Sequence, residues 1–307
     1  MFPPIRFALF AWFPLCCLLA CKNTPKADTG PLVVTTTAMI RDGLEPLIKD
    51  YAKIQVLMGP GSDPHSYRPV PGDLSALENA HALVFNGFYL EGNMTSMLES
   101  SHVQAFSVRL SDALAPQAAI PADGYHFDPH FWFDPMLWMQ CMFHAADQLA
   151  PQLNIPQDTL QFRKERFKQF CLSLDQEVWC RIETIPAHRR VLLTVHDAFT
   201  YFGRRYGLEV KSLQGVSTAA EFGVFEVQDM VDYVVQQNIP AVFTETGQSR
   251  RSMEAVVRGC AAQGHQLIQG ATLYADAPGP KGSLADTWSR MLKINALHLA
   301  ESLAGNP

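Results

Sequence analysis

Charged side chains are scarce in this 307-residue sequence. They make up 18% of it, below the share of about 25% usual for soluble domains. Neither sign dominates: 24 Lys and Arg face 30 Asp and Glu, for a net charge of -6, and a nucleic-acid partner, which needs a basic excess, is excluded. Seven cysteines, at 16, 17, 21, 141, 171, 180 and 260, are too few for a disulfide scaffold. No Cys-x-x-Cys pair offers a thiolate zinc site, and the His-Glu-x-x-His helix of metal-dependent peptidases is missing. There is no close internal repeat, low-complexity tract or charge run. No apolar run reaches the roughly 20 residues that cross a bilayer as a helix. The 48% hydrophobic content excludes disorder and is enough for one large or two modest cores.

The apolar stretch that does exist is short. Phe7 to Ala20, interrupted only by Pro14, follows Arg6, the one charged residue of the first 20. This is the pattern of a secretory signal. It ends Leu18-Leu19-Ala20-Cys21, which resembles the bacterial lipobox. Residues 1–20 are therefore expected to be a signal peptide, and 21–31 a tether lipidated at Cys21 that anchors an exported, monomeric protein to a bacterial membrane. Four cysteines remain in the body. Cys171 and Cys180 share one long predicted helix, where nine steps of 1.5 Å hold them roughly 13 Å apart, too far to bridge. Buried free thiols are the expectation.

From Leu32 onward, strands and helices alternate. Leu32–Thr37 is a β-branched run followed by helical spacing at Met39, Leu44 and Leu47. Further strands are expected at 54–58, 82–85 and 103–108, with Asp73 capping a helix between them. Pro151 and Pro156 then precede a charged helix marked by Leu160, Phe167, Phe170, Leu174, Val178 and Ile182. At roughly 28 residues it reads as a strut about 42 Å long. The alternation restarts with strands at 191–195, 209–213, 241–244 and 266–269. The expected fold class is α/β, with two pseudo-symmetric lobes of parallel sheet at 32–148 and 187–307 joined by a 149–186 linker carrying the long helix, and a site in the cleft between them.

Open parallel sheets place ligands outside the carboxyl ends of their strands. Four residues stand at such points. His65 lies in MGPGSDPHSYRP, His130 in YHFDPHFWFDP, His196 ends a strand in TVHDAF, and Asp276 follows another in LYADAPGP. Each Pro of the repeated Asp-Pro-His stiffens the loop that carries its imidazole. Singly, each His reads as an ordinary loop or strand-end residue. Together, three imidazoles and a carboxylate suit a divalent transition metal. Asp63, Asp128, Asp197 and Glu245 are candidate acceptors for the outward ring N–H groups, with helix capping as the alternative for Asp197. Binding needs neutral imidazoles, so it is expected to weaken as pH falls through about 6. His126 is a candidate capture ligand or a plain surface residue.

With SDPHSYRP, DPHFWFDP, TVHDAFTYFGRRYGL followed by GVSTAAEFG, PAVFTET and LYADAPGP in place, the chain resembles nearly end to end the zinc and manganese solute-binding lipoproteins of bacterial ABC transporters, the TroA-like proteins. The resemblance implies two lobes joined by a rigid helix and one metal ion as cargo, Zn(II) or Mn(II) with iron as a further possibility, held by His65, His130, His196 and Asp276. It also implies an ABC permease and its cytoplasmic ATPase as partners, and no catalysis. Manganese-selective members often carry Glu where this chain has His196, and zinc scavengers commonly carry a long His-rich acidic loop that is missing between Asn86 and His130. Three imidazoles favour zinc in intrinsic affinity unless a bidentate Asp276 raises the coordination number.

Two alternatives differ in class. A zinc-dependent hydrolase would use His65, His130 and His196 with Glu245 as general base. A binding protein for a chelate such as a siderophore or corrinoid would need a wide cleft lined by Arg and aromatics. Arg68, Tyr125, Phe131 and Trp132 fit packing and shielding around a single ion better. An adhesin role has no residue-level signal.

Overall fold

The computed structural model describes residues 30–99, 105–122, 127–218 and 223–304. The expected signal peptide, residues 21–29 of the expected tether with Cys21, and Tyr125 and His126 lie outside the described residues. No described helix is long and apolar enough to cross a membrane.

The β-branched run Leu32–Thr37 is strand β1, buried from Val33 onward. It passes directly into helix α1 (Ala38–Ile48), because the Thr37 side chain accepts the Ile40 N–H and caps the first turn. Then come β2 (Lys53–Met58), α2 (Pro71–Glu78), β3 (Ala82–Phe85), the one-turn α3 (Thr95–Leu98) and β4 (Phe106–Arg109). The four strands form a parallel sheet in the order β2-β1-β3-β4. Asp73 lies inside the first turn of α2 rather than at its cap. Pro71 starts this helix, its fixed φ suiting the first position, and the Asp73 carboxylate reaches back to accept the Val70 N–H at 2.8 Å.

Asp134 caps α4 (Pro135–Gln152) by accepting from Met136 and Leu137. The long helix, α5, runs over Gln157–Ile182, 26 residues or about 39 Å. It is no bare strut: Leu160, Phe167, Cys171, Leu174, Val178 and Ile182 are buried along one stripe. Phe170, expected in that stripe, stays 42% exposed on its flank, and Cys171, one residue and about 100° further round the helix, fills the place. Cys141, Cys171 and Cys260 are buried free thiols, and Cys180 is exposed and free.

The second half contains β5 (Val191–His196), α6 (Thr200–Tyr206), β6 (Glu209–Gln214), α7 (Val224–Gln237), β7 (Ala241–Val242), α8 (Arg250–Ala262), β8 (Ile268–Gln269) and α9 (Trp288–Leu303). β5 pairs with β6, and β7 with β8, all parallel. The Phe243 N–H bonds to Leu193 O at 2.8 Å and joins the two pairs. The order β6-β5-β7-β8 thus repeats that of the first half. β7 and β8 are shorter than the sequence suggests, and the pairing resumes beyond them as a single bridge between Glu245 and Leu273.

One apolar cluster runs without interruption through α1, α4, α5, α6 and α9 and takes in Trp132, Trp138 and Trp288. Although α9 follows the second sheet in the chain, it enters beside the first: Trp288 donates its backbone N–H to Asp42, its indole N–H to Trp132 O, and stacks 5.8 Å from Trp138. Burial of Asp42 raises its carboxyl pKa, partly offset by its bonds to Arg41 and Trp288.

Gly203 shows how tightly α6 is seated. A Cβ there would lie 2.5 Å from Val210 Cγ2 and 2.7 Å from Leu208 O, a backbone atom that cannot step aside. Ala in place of Gly ordinarily favours a helix by about 1 kcal/mol, whereas overpacking costs about 1–3 kcal/mol. Gly203→Ala is expected to lower stability in chemical denaturation; a rise would show that α6 can shift.

Candidate metal centre

Both Asp-Pro-His segments fold into the same turn. In the first, the Asp63 carboxylate accepts the His65 N–H at 2.9 Å; in the second, Asp128 accepts the His130 N–H at 2.8 Å. The turns then differ. Asp128 also reaches the His130 ring at Nδ1, 2.7 Å away, whereas Asp63 accepts the hydroxyls of Ser66 and, from the other half of the molecule, Thr218. His65 Nδ1 is buried and has no hydrogen-bond partner among the described residues. The His65 loop is instead seated on Gly92. Its φ is +37°, and a Cβ there would come within 2.1 Å of His65 O.

His196 is the last residue of β5, so the strand itself aims it. Glu245 buttresses it from behind, accepting the His196 N–H and facing Nδ1, both at 2.9 Å, and accepting the Val195 N–H at 3.0 Å. Asp276 sits on the segment after β8. Trp132, two residues beyond His130, donates its indole N–H to Ala275 O at 3.1 Å.

These loops bring His65, His130, His196 and Asp276 together as one buried group whose nearest nitrogen and oxygen atoms all lie within 4.8 Å of one another. His65 Nε2 is 3.2 Å from His130 Nε2. Asp276 Oδ1 is 3.4 Å from His130 Nε2, and Oδ2 is 3.3 Å from His196 Nε2. His65 Nε2 is further from Asp276, at 3.9 Å. Ligands about 2.0–2.1 Å from a tetrahedral ion lie roughly 3.3–3.4 Å apart, so the spacing fits an ion of that size. Among the described residues, buried His196 Nε2 and Asp276 Oδ1 have no hydrogen-bond partner, the state of groups that an ion would satisfy.

The charges are arranged to suit a cation. Burial pushes His130 down, but Asp128 and Asp276 outweigh it and raise its pKa to about 9. Burial opposes charge on His196 too, and Asp276 with Glu245 overcomes it, lifting the pKa well above the usual imidazole value. His65 is lowered to about 4, burial outweighing the pull of Asp276. Asp276 is held well below the ordinary carboxyl range because His196, His130 and His65 outweigh its burial.

Of the four acids expected behind the imidazoles, Asp128 and Glu245 face a ring nitrogen. Asp63 bonds to the backbone N–H of His65 and not to its ring, and Asp197 accepts the Thr200 hydroxyl at 2.6 Å, at the start of α6. Phe131 and Trp132 are fully buried around the centre, and Arg68 is exposed and does not shield it. Residues that the motifs did not mark also position the site. Asn86 donates to Pro129 O beside His130, and buried Glu91 gathers the Thr36 hydroxyl with the Asn86 and Gly87 N–H groups. Asn86 directly follows a strand, a signal that was available; Glu91 had none.

Residues 33–302 match the family described as the zinc-uptake complex component A, periplasmic. The chain belongs to this family. It is 38% identical over 302 residues to the manganese-binding lipoprotein MntA of Bacillus subtilis, covering 96% of this chain and 97% of that protein. It is 36% identical over 280 residues to the zinc-binding protein TroA of Treponema pallidum, covering 91% and 90%. The solved structure of the periplasmic zinc-binding protein TroA superposes with a TM-score of 0.85 at 34% identity, covering 89% of this chain and 99% of that one. The family consists of substrate-binding proteins, and its architecture is the α/β fold with parallel sheets described above.

Glu245→Gln tests the buttress behind His196. Loss of a carboxylate behind a ligating imidazole typically costs about 10- to 100-fold in metal affinity, and a loss of that size in Zn(II) titrations is expected. Unchanged affinity would make Glu245 a purely structural acid.

Proposed function

We propose that this chain is the extracytoplasmic solute-binding component of an ABC importer, capturing one divalent transition metal ion, zinc or manganese, between His65, His130, His196 and Asp276 and passing it to the permease. The observation that carries this reading is the convergence of those four buried side chains from both halves of the fold. Lipidation at Cys21 would keep the protein beside a permease driven by a cytoplasmic ATPase. The relatives named above include one zinc and one manganese binder. Three imidazoles favour zinc in intrinsic affinity.

A hydrolytic role is poorly supported. A general base must offer an oxygen to a bound water, and both Glu245 oxygens are engaged, one by the Val195 N–H and the other by His196. A chelate carrier is disfavoured as well, because His65, His130, His196 and Asp276 are each less than 7% exposed.

Native mass spectrometry after mixing with equimolar Zn(II) and Mn(II) tests the proposal. One retained ion is expected, Zn(II) in preference; no retained ion would sink it. His196→Ala and Asp276→Ala should each lower affinity by about 100-fold or more, since each removes a ligand, and near-native binding in either would remove that residue from the site.

The sign of the pH dependence follows from the ion-free site. His130, raised to about 9, carries a proton at pH 7, His196 is raised well above the ordinary imidazole value by Asp276 and Glu245, and His65, lowered by burial to about 4, is neutral. A metal must displace the His130 proton, so affinity should already be falling from about pH 9 downward instead of only below about 6. Calorimetry in buffers of different ionisation enthalpy should count at least one proton released at pH 7, from His130; a count of zero would contradict the assignment.

A further inference from the structure

We propose that Asn295 on α9, together with Trp132, is a positioning residue that fixes how the Asp276 carboxylate is presented and so sets the preference between zinc and manganese. This rests on the metal-capture reading above.

Asn295 is out of place by the rules of helix burial. It is 0% exposed in the middle of α9, on the face formed by Met291, Leu292, Ala296 and Leu299. Asn is a poor helix former there, and a buried amide is costly unless bonded. Its bonds account for it: Nδ2 donates to Tyr274 O at 2.7 Å, and Oδ1 accepts the Tyr274 N–H at 2.9 Å. One side chain thus clamps both polar groups of a residue two positions before Asp276. One turn on, His298 Nδ1 lies 3.0 Å from Thr272 O. From the opposite side the Trp132 indole N–H holds Ala275 O. The edge of the second sheet closes the grip, with Leu273 donating to Thr244 O and accepting from Thr246.

The effect is that Asp276 meets the imidazoles along the edge of its carboxylate. Oδ1 faces His130 and Oδ2 faces His196, at nearly equal distances of 3.4 and 3.3 Å. Held so, both oxygens are offered to an ion at the centre of the three Nε2 atoms, making a fifth ligand available. Mn(II) accepts such an expanded shell, whereas Zn(II) is satisfied by four ligands. A carboxylate on a loosened segment can rotate and bind through one oxygen, which costs zinc little and manganese more.

Asn295→Leu keeps the branched shape and removes both bonds. Trp132→Phe removes the indole donor and serves if the first variant fails to fold. Each would be titrated with Zn(II), Mn(II) and Co(II), with wild-type chain in parallel. Mn(II) affinity should fall about tenfold more than Zn(II) affinity, within the range of effects exerted through ligand supports. The visible bands of bound Co(II) should strengthen, since four-coordinate Co(II) absorbs more than five-coordinate. Equal losses for both ions with an unchanged Co(II) spectrum would overturn the proposal and leave Asn295 a structural residue. Failure of the wild-type chain to bind any of the three ions would instead overturn the capture reading on which it rests.

Discussion

The structure depends on keeping three imidazoles and a carboxylate together where water cannot reach them. Such a cluster is unfavourable unless each charge is opposed at short range. Asp128 behind His130 and Glu245 behind His196 supply that opposition, and Asp276 stands between the rings. Among the described residues, no acid meets the outer nitrogen of His65. The centre is therefore unequal: two imidazoles are basic and one is not.

The two halves of the fold are tied together at the level of the site. Trp132 O accepts from Trp288 while the Trp132 indole donates to Ala275, so one residue connects the His130 loop, α9 and the Asp276 segment. The Tyr201 hydroxyl accepts the Ile120 N–H and donates to Asp128 O, and Thr218 bonds to Asp63. With an unbroken apolar core beneath, wide opening would break many of these contacts at once. Exchange of cargo by small local movement fits this construction better than a clamshell motion.

Much of this was legible in the sequence, for definite reasons. The β-branched run at Leu32–Thr37 and the helical spacing of Met39, Leu44 and Leu47 mark β1 and α1 because local propensity and pattern act within a few residues. The ligand candidates were found because parallel sheets gather strand ends, and His196 lies on one. The supports were less legible. Asp63 and Asp128 occupy the same place in the same tripeptide, yet only Asp128 reaches its ring, because the side-chain direction depends on what packs around each turn. Asp197 adjoins His196 in sequence but turns to Thr200, and the buttress comes from Glu245, 49 residues away.

By itself, then, the sequence determined the alternation of strands and helices, the parallel sheets and the four residues able to hold a metal, all consequences of short-range pattern and strand-end placement. Tertiary structure alone decided which acids charge the imidazoles, why a buried Asn interrupts the apolar face of α9, and how the long helix lies against its neighbours. Those outcomes rest on contacts between segments far apart in the chain, where packing selects the partner and no local spacing records it.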